Sequence, residues 1–300
     1  MLRPAKVAAK SGEIAMPLNF EASELRSRFQ QDGAVCLPGV LDAHALELAR
    51  ACFEWTLAHP GPGAGPVLLG TPGTFYQDQA NPDSFPAYRD FLRDTVVADI
   101  AASLFGCDNI WLMYEQIWLK DGADTRRTPW HQDLPYLPAS GEHLLVMWTN
   151  LDAVEKDCSL EFIRGSHRGP LYNPSAFNPD DEAAHLFDPA VWPPLPAIEQ
   201  ARANFPILSW AMQPGDVVVF HPAVLHGGAP TRAGVRRRTL SLRFFGDDAW
   251  VAARPHDGMA NIDGLKHDDG GRHPLKKMAL ASPGTPFRHP DFPRLRPLNA

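Results

Sequence analysis

The chain has 300 residues, 44% of them hydrophobic, enough to bury one substantial core, and an all-β barrel or sandwich of this length commonly forms one domain. Its formal charge of -7, from 28 Lys+Arg against 35 Asp+Glu, excludes the broad basic field that phosphate backbones attract. No apolar run approaches the roughly 20 residues of a membrane span, so neither nucleic acid nor membrane is expected as a partner.

Residues 1–17 lack the apolar stretch of a signal peptide and read as a disordered leader. Over 18–106 the pattern predicts a mostly helical scaffold. Leu25 and Phe29, four apart, place a short helix over 21–31 that Gly33 ends, and an extended stretch over 34–38 follows. Asp42 is a candidate N-cap for a longer helix whose Leu46, Ala49, Phe53 and Leu57 form one stripe before His59-Pro60 breaks it. A loop dense in Gly and Pro over 60–74 precedes a helix over 84–104 that stops at Gly106. The cysteines Cys36, Cys52, Cys107 and Cys158 form no CxxC pair and follow no secretory signal, so reduced thiols and a cytoplasmic setting are expected.

Between 107 and 250 the character turns to β, with apolar or alternating runs at 110–119, 144–151, 160–163, 207–212, 217–220 and 239–245. Together with 30 prolines and 23 glycines they predict a mainly β fold, a double-stranded β-helix or jelly-roll core flanked by the N-terminal helices. The stretch 169–203 is too long and irregular for an ordinary connection and suits a functional lid. Residues 251–300 read as a C-terminal extension wrapped on the surface, and 1–300 as one domain.

The chemistry concentrates at His131-Gln132-Asp133. On an extended segment a histidine and a carboxylate two residues apart point the same way and can share one metal ion. A second histidine from a distant strand completes the two-histidine, one-carboxylate face that leaves three positions open on non-haem Fe(II). Thr128-Pro129-Trp130 sets an extended entry into His131. Downstream, the turn Gly215-Asp216 and a buried strand lead to His221 and His226, followed by Gly227-Gly228, where backbone can approach a ligand closely. Spacing alone leaves His221 and His226 both open. His289-Pro290-Asp291 repeats the spelling, but its proline makes a poor strand. A zinc hydrolase would use similar ligands and need a general base, which no residue pattern marks.

The stretches His131-Gln132-Asp133-Leu134 with Tyr136 and Pro138, Trp148-Thr149, Leu160, Gly165-Ser166-His167, Gly215-Asp216 with Phe220-His221-Pro222, His226-Gly227, and Arg237 through Leu242 resemble the phytanoyl-CoA dioxygenase family of Fe(II)/2-oxoglutarate oxygenases. Departures are Cys158, where the family usually has glycine, and Arg164, where proline is common; both read as lying in a turn away from the metal. The resemblance implies that His131, Asp133 and His226 are the metal ligands and that His221 belongs to a strand end. It further implies that Arg237 holds the far carboxylate of 2-oxoglutarate, which a planar guanidinium grips with two charge-assisted hydrogen bonds. Gln116 and Trp148 fall at positions lining the co-substrate pocket, and Gln132 is a further cofactor-side candidate inside the motif. Arg236 and Arg238 alternate to the opposite face, as a solvated strand edge.

The implied activity uses O2 and decarboxylates 2-oxoglutarate to succinate while hydroxylating an unactivated C–H bond of a small organic metabolite. Asp133, rather than Gly or Ala, occupies the place a halide would need, which favours hydroxylation. A coenzyme A ester would call for a basic track that this acidic chain lacks. Pocket walls are expected from the loop over 134–138, from Arg126-Arg127 and from 169–203. The alternative is a non-catalytic jelly-roll protein that binds a metal or ligand.

Overall fold

The computed structural model describes residues 22–67, 73–122, 125, 127–177, 181, 184–190, 192–254 and 271–298; the expected leader and residues 255–270 lie outside them. Helix α1 (Ala22–Asp32) buries Leu25 and Phe29 and ends where Gly33 takes a φ of 79°. Strand β1 (Ala34–Leu37) leads to α2 (Ala43–Ala58), whose first turn is capped by the Asp42 carboxylate accepting from Ala45 N at 2.8 Å.

Two expectations change here. The single helix over 84–104 is two, α3 (Phe85–Asp94) and α4 (Val97–Phe105). Between them Thr95 is extended, and its Oγ1 donates to Phe91 O at 2.6 Å, taking the carbonyl that a continuing helix would use. The loop over 60–74 also yields β2 (Gly65–Pro66) and the start of β3 (Thr74–Gln79). In β3 the residues alternate, but Gln77 and Gln79 are polar and line a cavity, so the strand carries no apolar signature.

The other elements are β4 (Ile110–Asp121), β5 (Thr128–His131), β6 (Ala139–Ser140), β7 (Leu144–Asn150), β8 (Leu160–Ile163), β9 (Ile207–Leu208), β10 (Val217–Phe220), β11 (His226–Gly228), β12 (Arg237–Phe245), β13 (Trp250–Val251), α5 (Pro274–Ala279) and β14 (Arg294–Arg296). The extension is thus partly regular, with β14 paired to β4. An antiparallel sheet runs β1-β10-β7-β12-β4-β3-β2, and a second, β5-β11-β8-β9, completes the jelly roll. Among the described residues no helix is long and apolar enough to cross a membrane.

Helices cover the outer face of the larger sheet. Leu240, Leu242 and Phe244 of β12 share a core with Phe53, Phe91 and Ile100. The alternate β12 residues Arg237, Thr239, Ser241 and Arg243 fall on the other face, toward the second sheet. Val146, Phe162, Val218 and Phe220 join the two sheets in a second core.

Phe53 is completely buried between helices and sheet. Replacing it with Ala is expected to cost about 3–5 kcal/mol in urea unfolding, with the m-value unchanged. A loss under about 1 kcal/mol would show that the helical layer does not brace the sheet.

Candidate active site

Strand β11 pairs antiparallel with β5 so that His226 stands opposite His131, with ring centroids 4.2 Å apart. Strand β5 ends at His131, and Asp133 has φ -73° and ψ -32°, opening the short turn Leu134–Tyr136. The two groups therefore meet through a strand end followed by a helical turn, and the expected period-two alignment on one extended segment is corrected. The turn sets Asp133 Oδ1 3.4 Å from His131 Nε2 and 3.7 Å from His226 Nε2. One donor atom of each residue lies within 4.8 Å of the others, the only such cluster among the described residues.

Each imidazole is oriented by its own strand. His131 Nδ1 donates to Pro129 O at 2.8 Å and His226 Nδ1 to Val224 O at 3.0 Å. A carbonyl only accepts, so the proton sits on Nδ1 and the Nε2 lone pair faces the centre, the tautomer a metal requires. Burial, reinforced by the adjacent His131, pushes His226 down to about 3 and keeps it neutral. Burial alone would raise Asp133, but the Arg243 guanidinium and the two histidines hold its carboxyl well below the usual range. The donor set thus fits a divalent ion.

His221, the rival, is spent on backbone. Its Nδ1 accepts from Ala223 N at 3.1 Å and its Nε2 donates to Gly141 O at 3.2 Å. Burial lowers it to about 4.

The triad opens into a cavity of about 1100 Å³, counting the part open to solvent, lined also by Gln116, Trp148, Arg237 and Arg243. Arg237 is 4% exposed, and no carboxylate pairs with it among the described residues. One of its guanidinium nitrogens donates to Cys158 O. The Cys158 turn, expected to lie apart from the site, therefore supports it. Burial pulls Arg237 down to about 10, which leaves it charged at neutral pH. Lys120 stands opposite it across β4–β12 with its ammonium 4.1 Å above the Phe75 ring. Burial and Arg237 push that lysine well down. A buried guanidinium facing a cavity, with no acid beside it, fits a carboxylate-bearing ligand.

The remaining candidates separate. Gln116 donates Nε2–H to Gln77 Oε1 at 2.9 Å, and its own Oε1 is buried without a partner. Trp148 lines the cavity with its Nε1 on Asn150 Oδ1 at 3.2 Å. Gln132, expected on the cofactor side, is not among the cavity's lining residues. Its amide donates to Ala223 O at 2.8 Å and Pro170 O at 3.2 Å and accepts from Tyr172 N at 2.8 Å, strapping the 169–203 stretch to the motif.

That stretch lines the cavity with Ser175, Ala176 and Phe177. Phe177 has a φ of 49°, an uncommon backbone state for a bulky residue costing about 1–2 kcal/mol. Its ring lies 5.2 Å from that of His131. Arg127 is taken by Glu161 at 2.9 Å and Glu199 at 3.0 Å, while Arg126 lies outside the described residues. Arg238 is no solvated edge, since it pairs with Asp152 at 2.8 Å. Arg243, not among the expected site residues, also belongs here, its Nη2 reaching Asp133 Oδ2 at 3.2 Å. Strand alternation could have found it, six residues beyond Arg237 on the same face.

The family profile described as phytanoyl-CoA dioxygenase (PhyH) matches residues 29–239. This chain belongs to the phytanoyl-CoA dioxygenase family. It is 23% identical to the peroxisomal phytanoyl-CoA dioxygenase of Mus musculus over 259 residues, 82% of this chain and 74% of that protein. A probable alpha-ketoglutarate-dependent hypophosphite dioxygenase of Stutzerimonas stutzeri is 28% identical over 170 residues, 55% of each chain. Among solved structures, the epimerase SnoN in complex with Fe3+, alpha ketoglutarate and nogalamycin RO gives a TM-score of 0.65 at 23% identity, covering 92% of this chain and 98% of its own. The carbocyclase SnoK from nogalamycin biosynthesis gives 0.67 at 20% identity, covering 95% and 100%. Both likenesses show the fold. As a PhyH-family protein with this triad, the chain is an Fe(II)- and 2-oxoglutarate-dependent dioxygenase that consumes O2 and acts on a small molecule.

Replacing His226 with Ala is expected to abolish Fe(II) binding in a calorimetric titration, while His221→Ala leaves it intact and lowers the unfolding midpoint; the reverse would exchange their roles. His221 is lowered on folding, so its contribution is complete above the unfolded value of roughly 6.5 and is lost as pH falls toward about 4. Stability should drop by up to about 3 kcal/mol across that window, and His221→Gln should remove this share of the slope. An unchanged slope in the variant would exclude the assignment.

Proposed function

We propose that this PhyH-family dioxygenase hydroxylates an unactivated C–H bond of a small organic metabolite, with His131, Asp133 and His226 as the Fe(II) ligands and Arg237 as the anchor for the far carboxylate of 2-oxoglutarate. One observation carries the reading: two imidazole Nε2 atoms converge on Asp133 Oδ1 in the cavity that also holds the buried Arg237 guanidinium. When bound, iron would activate O2, which is the oxidant, with 2-oxoglutarate giving two electrons as it is decarboxylated to succinate and CO2 and the substrate C–H bond giving the other two. The chain supplies placement and exclusion of water. Its Nδ1–H bonds fix the imidazole planes, Arg237 and Trp148 orient the co-substrate, and Tyr136 and Phe177 cover the substrate side of His131.

Asp133 fills the place that a halide would take, which supports hydroxylation over halogenation. Among the described lining residues it is the only carboxylate, and Arg243 already pairs with it, so these residues offer a cationic substrate no free counter-charge. Arg127, committed to two glutamates, offers nothing to the phosphates of a coenzyme A ester. A neutral metabolite suits the aromatic and amide lining better. The four free thiols support a cytoplasmic setting, the net charge argues against a nucleic-acid partner, and the described residues are read as one dioxygenase domain.

Mass spectrometry of candidate metabolites with Fe(II)-loaded protein should show a gain of one oxygen with stoichiometric succinate; no succinate with any candidate would oppose the activity. Replacing Arg237 with Lys should raise the KM for 2-oxoglutarate roughly 10–100-fold, the worth of a charge-assisted hydrogen bond. An unchanged KM would remove Arg237 from the assignment.

A further inference from the structure

We propose that Arg243 is the positioning residue of the metal carboxylate, holding Asp133 Oδ2 so that only Oδ1 is offered to the ion. This rests on the reading that His131, Asp133 and His226 bind a divalent metal, and extends it to a residue outside the ligand set. The two carboxylate oxygens have separate neighbours. Both imidazole Nε2 atoms approach Oδ1, at 3.4 and 3.7 Å, whereas Arg243 Nη2 approaches Oδ2 at 3.2 Å. A carboxylate free to turn can chelate through both oxygens and occupy a further coordination position. A charge-assisted bond to one oxygen opposes that rotation and preserves the open positions that co-substrate and O2 require.

The guanidinium is itself held in place. Pairing of β12 with β4 is regular from Arg237 opposite Lys120 to Arg243 opposite Tyr114, then slips so that Phe244 faces Leu112 and Met113 is the extra residue. A bulge of this kind re-aims the side chains beside it. Arg243 lies 4.5 Å above the Tyr114 ring, with Nη1 3.4 Å from Ser241 Oγ, and is 5% exposed. Its Nε is buried without a partner, and Asp133 is its only ion-pair partner among the described residues. A buried ion pair rarely stabilises a fold more than apolar residues of the same volume, so an arginine kept here, one nitrogen unmet, answers to the site more than to the core.

The test uses Co(II) alone, titrated into the wild type, Arg243→Met and Arg243→Lys, followed by calorimetry and by the visible absorption of the bound ion. Arg243→Met is expected to weaken Co(II) binding about 10–100-fold and to shift the visible bands, as a carboxylate released to both oxygens changes the coordination number. Arg243→Lys, which keeps the charge and loses the planar fork, should fall between. A purely structural arginine would move the unfolding midpoint and leave the bands alone. Unaltered bands and affinity in Arg243→Met would overturn the proposal, and so would tighter binding, which would make Arg243 merely a charge repelling the ion. Should Arg243→Met fail to fold, unaltered bands and affinity in Arg243→Lys would overturn it equally. Failure of the wild type itself to bind Co(II) would overturn the metal reading of the triad together with this one, whereas an unaltered variant overturns Arg243 alone.

Discussion

The antiparallel pairing of β5 with β11 sets His226 directly across from His131, and the site is built outward from that pair. Ladder hydrogen bonds are short and directional, so the register leaves little freedom in where two facing imidazoles stand. Each ring then donates its Nδ1–H to the carbonyl two residues earlier in its own chain, Pro129 for His131 and Val224 for His226. The tautomer of both rings is thus set by local backbone, and aromatic rings such as Phe177 and Phe220 pack against them. Asp133 closes the third side because the strand ends at His131 and the chain turns at once.

The larger sheet separates two solvents. Its outer face, covered by helices, carries an apolar stripe that includes Leu240, Leu242 and Phe244 and merges with the helical core. Its inner face carries the groups that are costly to bury, and β12 alone supplies Arg237 and Arg243 to it. Charges desolvated in this way are tolerated when each meets a partner or awaits one. Arg243 meets Asp133, whereas Arg237 donates to the Cys158 carbonyl and meets no carboxylate among the described residues. The helix-covered core and the second core between the sheets brace the cavity from both sides, an arrangement that lets a strained residue such as Phe177 persist at its wall.

The stretch 169–203 is tied to the metal motif by the side chain between its two ligands. Gln132 spends its amide on Pro170, Tyr172 and Ala223, and the Tyr136 hydroxyl donates to Ser175 O at 2.7 Å. Cavity wall and the His131–Asp133 turn are therefore one connected unit, and a change in the wall bears directly on that turn.

Much of this was legible in the residues. Helix α2 with its Asp42 cap and the runs that became β4, β7, β8, β10 and β12 follow from periodicity and capping chemistry, the pairing of His131 with Asp133 from the ligand types that suit Fe(II), and the choice of His226 over His221 from the family resemblance alone. Strand β3 was not legible, because two of the three positions it turns into the cavity are the glutamines Gln77 and Gln79, and hydropathy marks a strand only where one face is apolar. Gln132 and Arg243 were misjudged or missed for a related reason: partners 38 and 110 residues away decide their roles. Sequence by itself determined the fold class and the kinds of donor at the centre, since both rest on local pattern and side-chain chemistry. Only the tertiary structure decided which oxygen of Asp133 faces the histidines, which arginine takes the other, and which glutamine lines the cavity, because long-range register and a single bulge set those contacts and neither leaves a local trace.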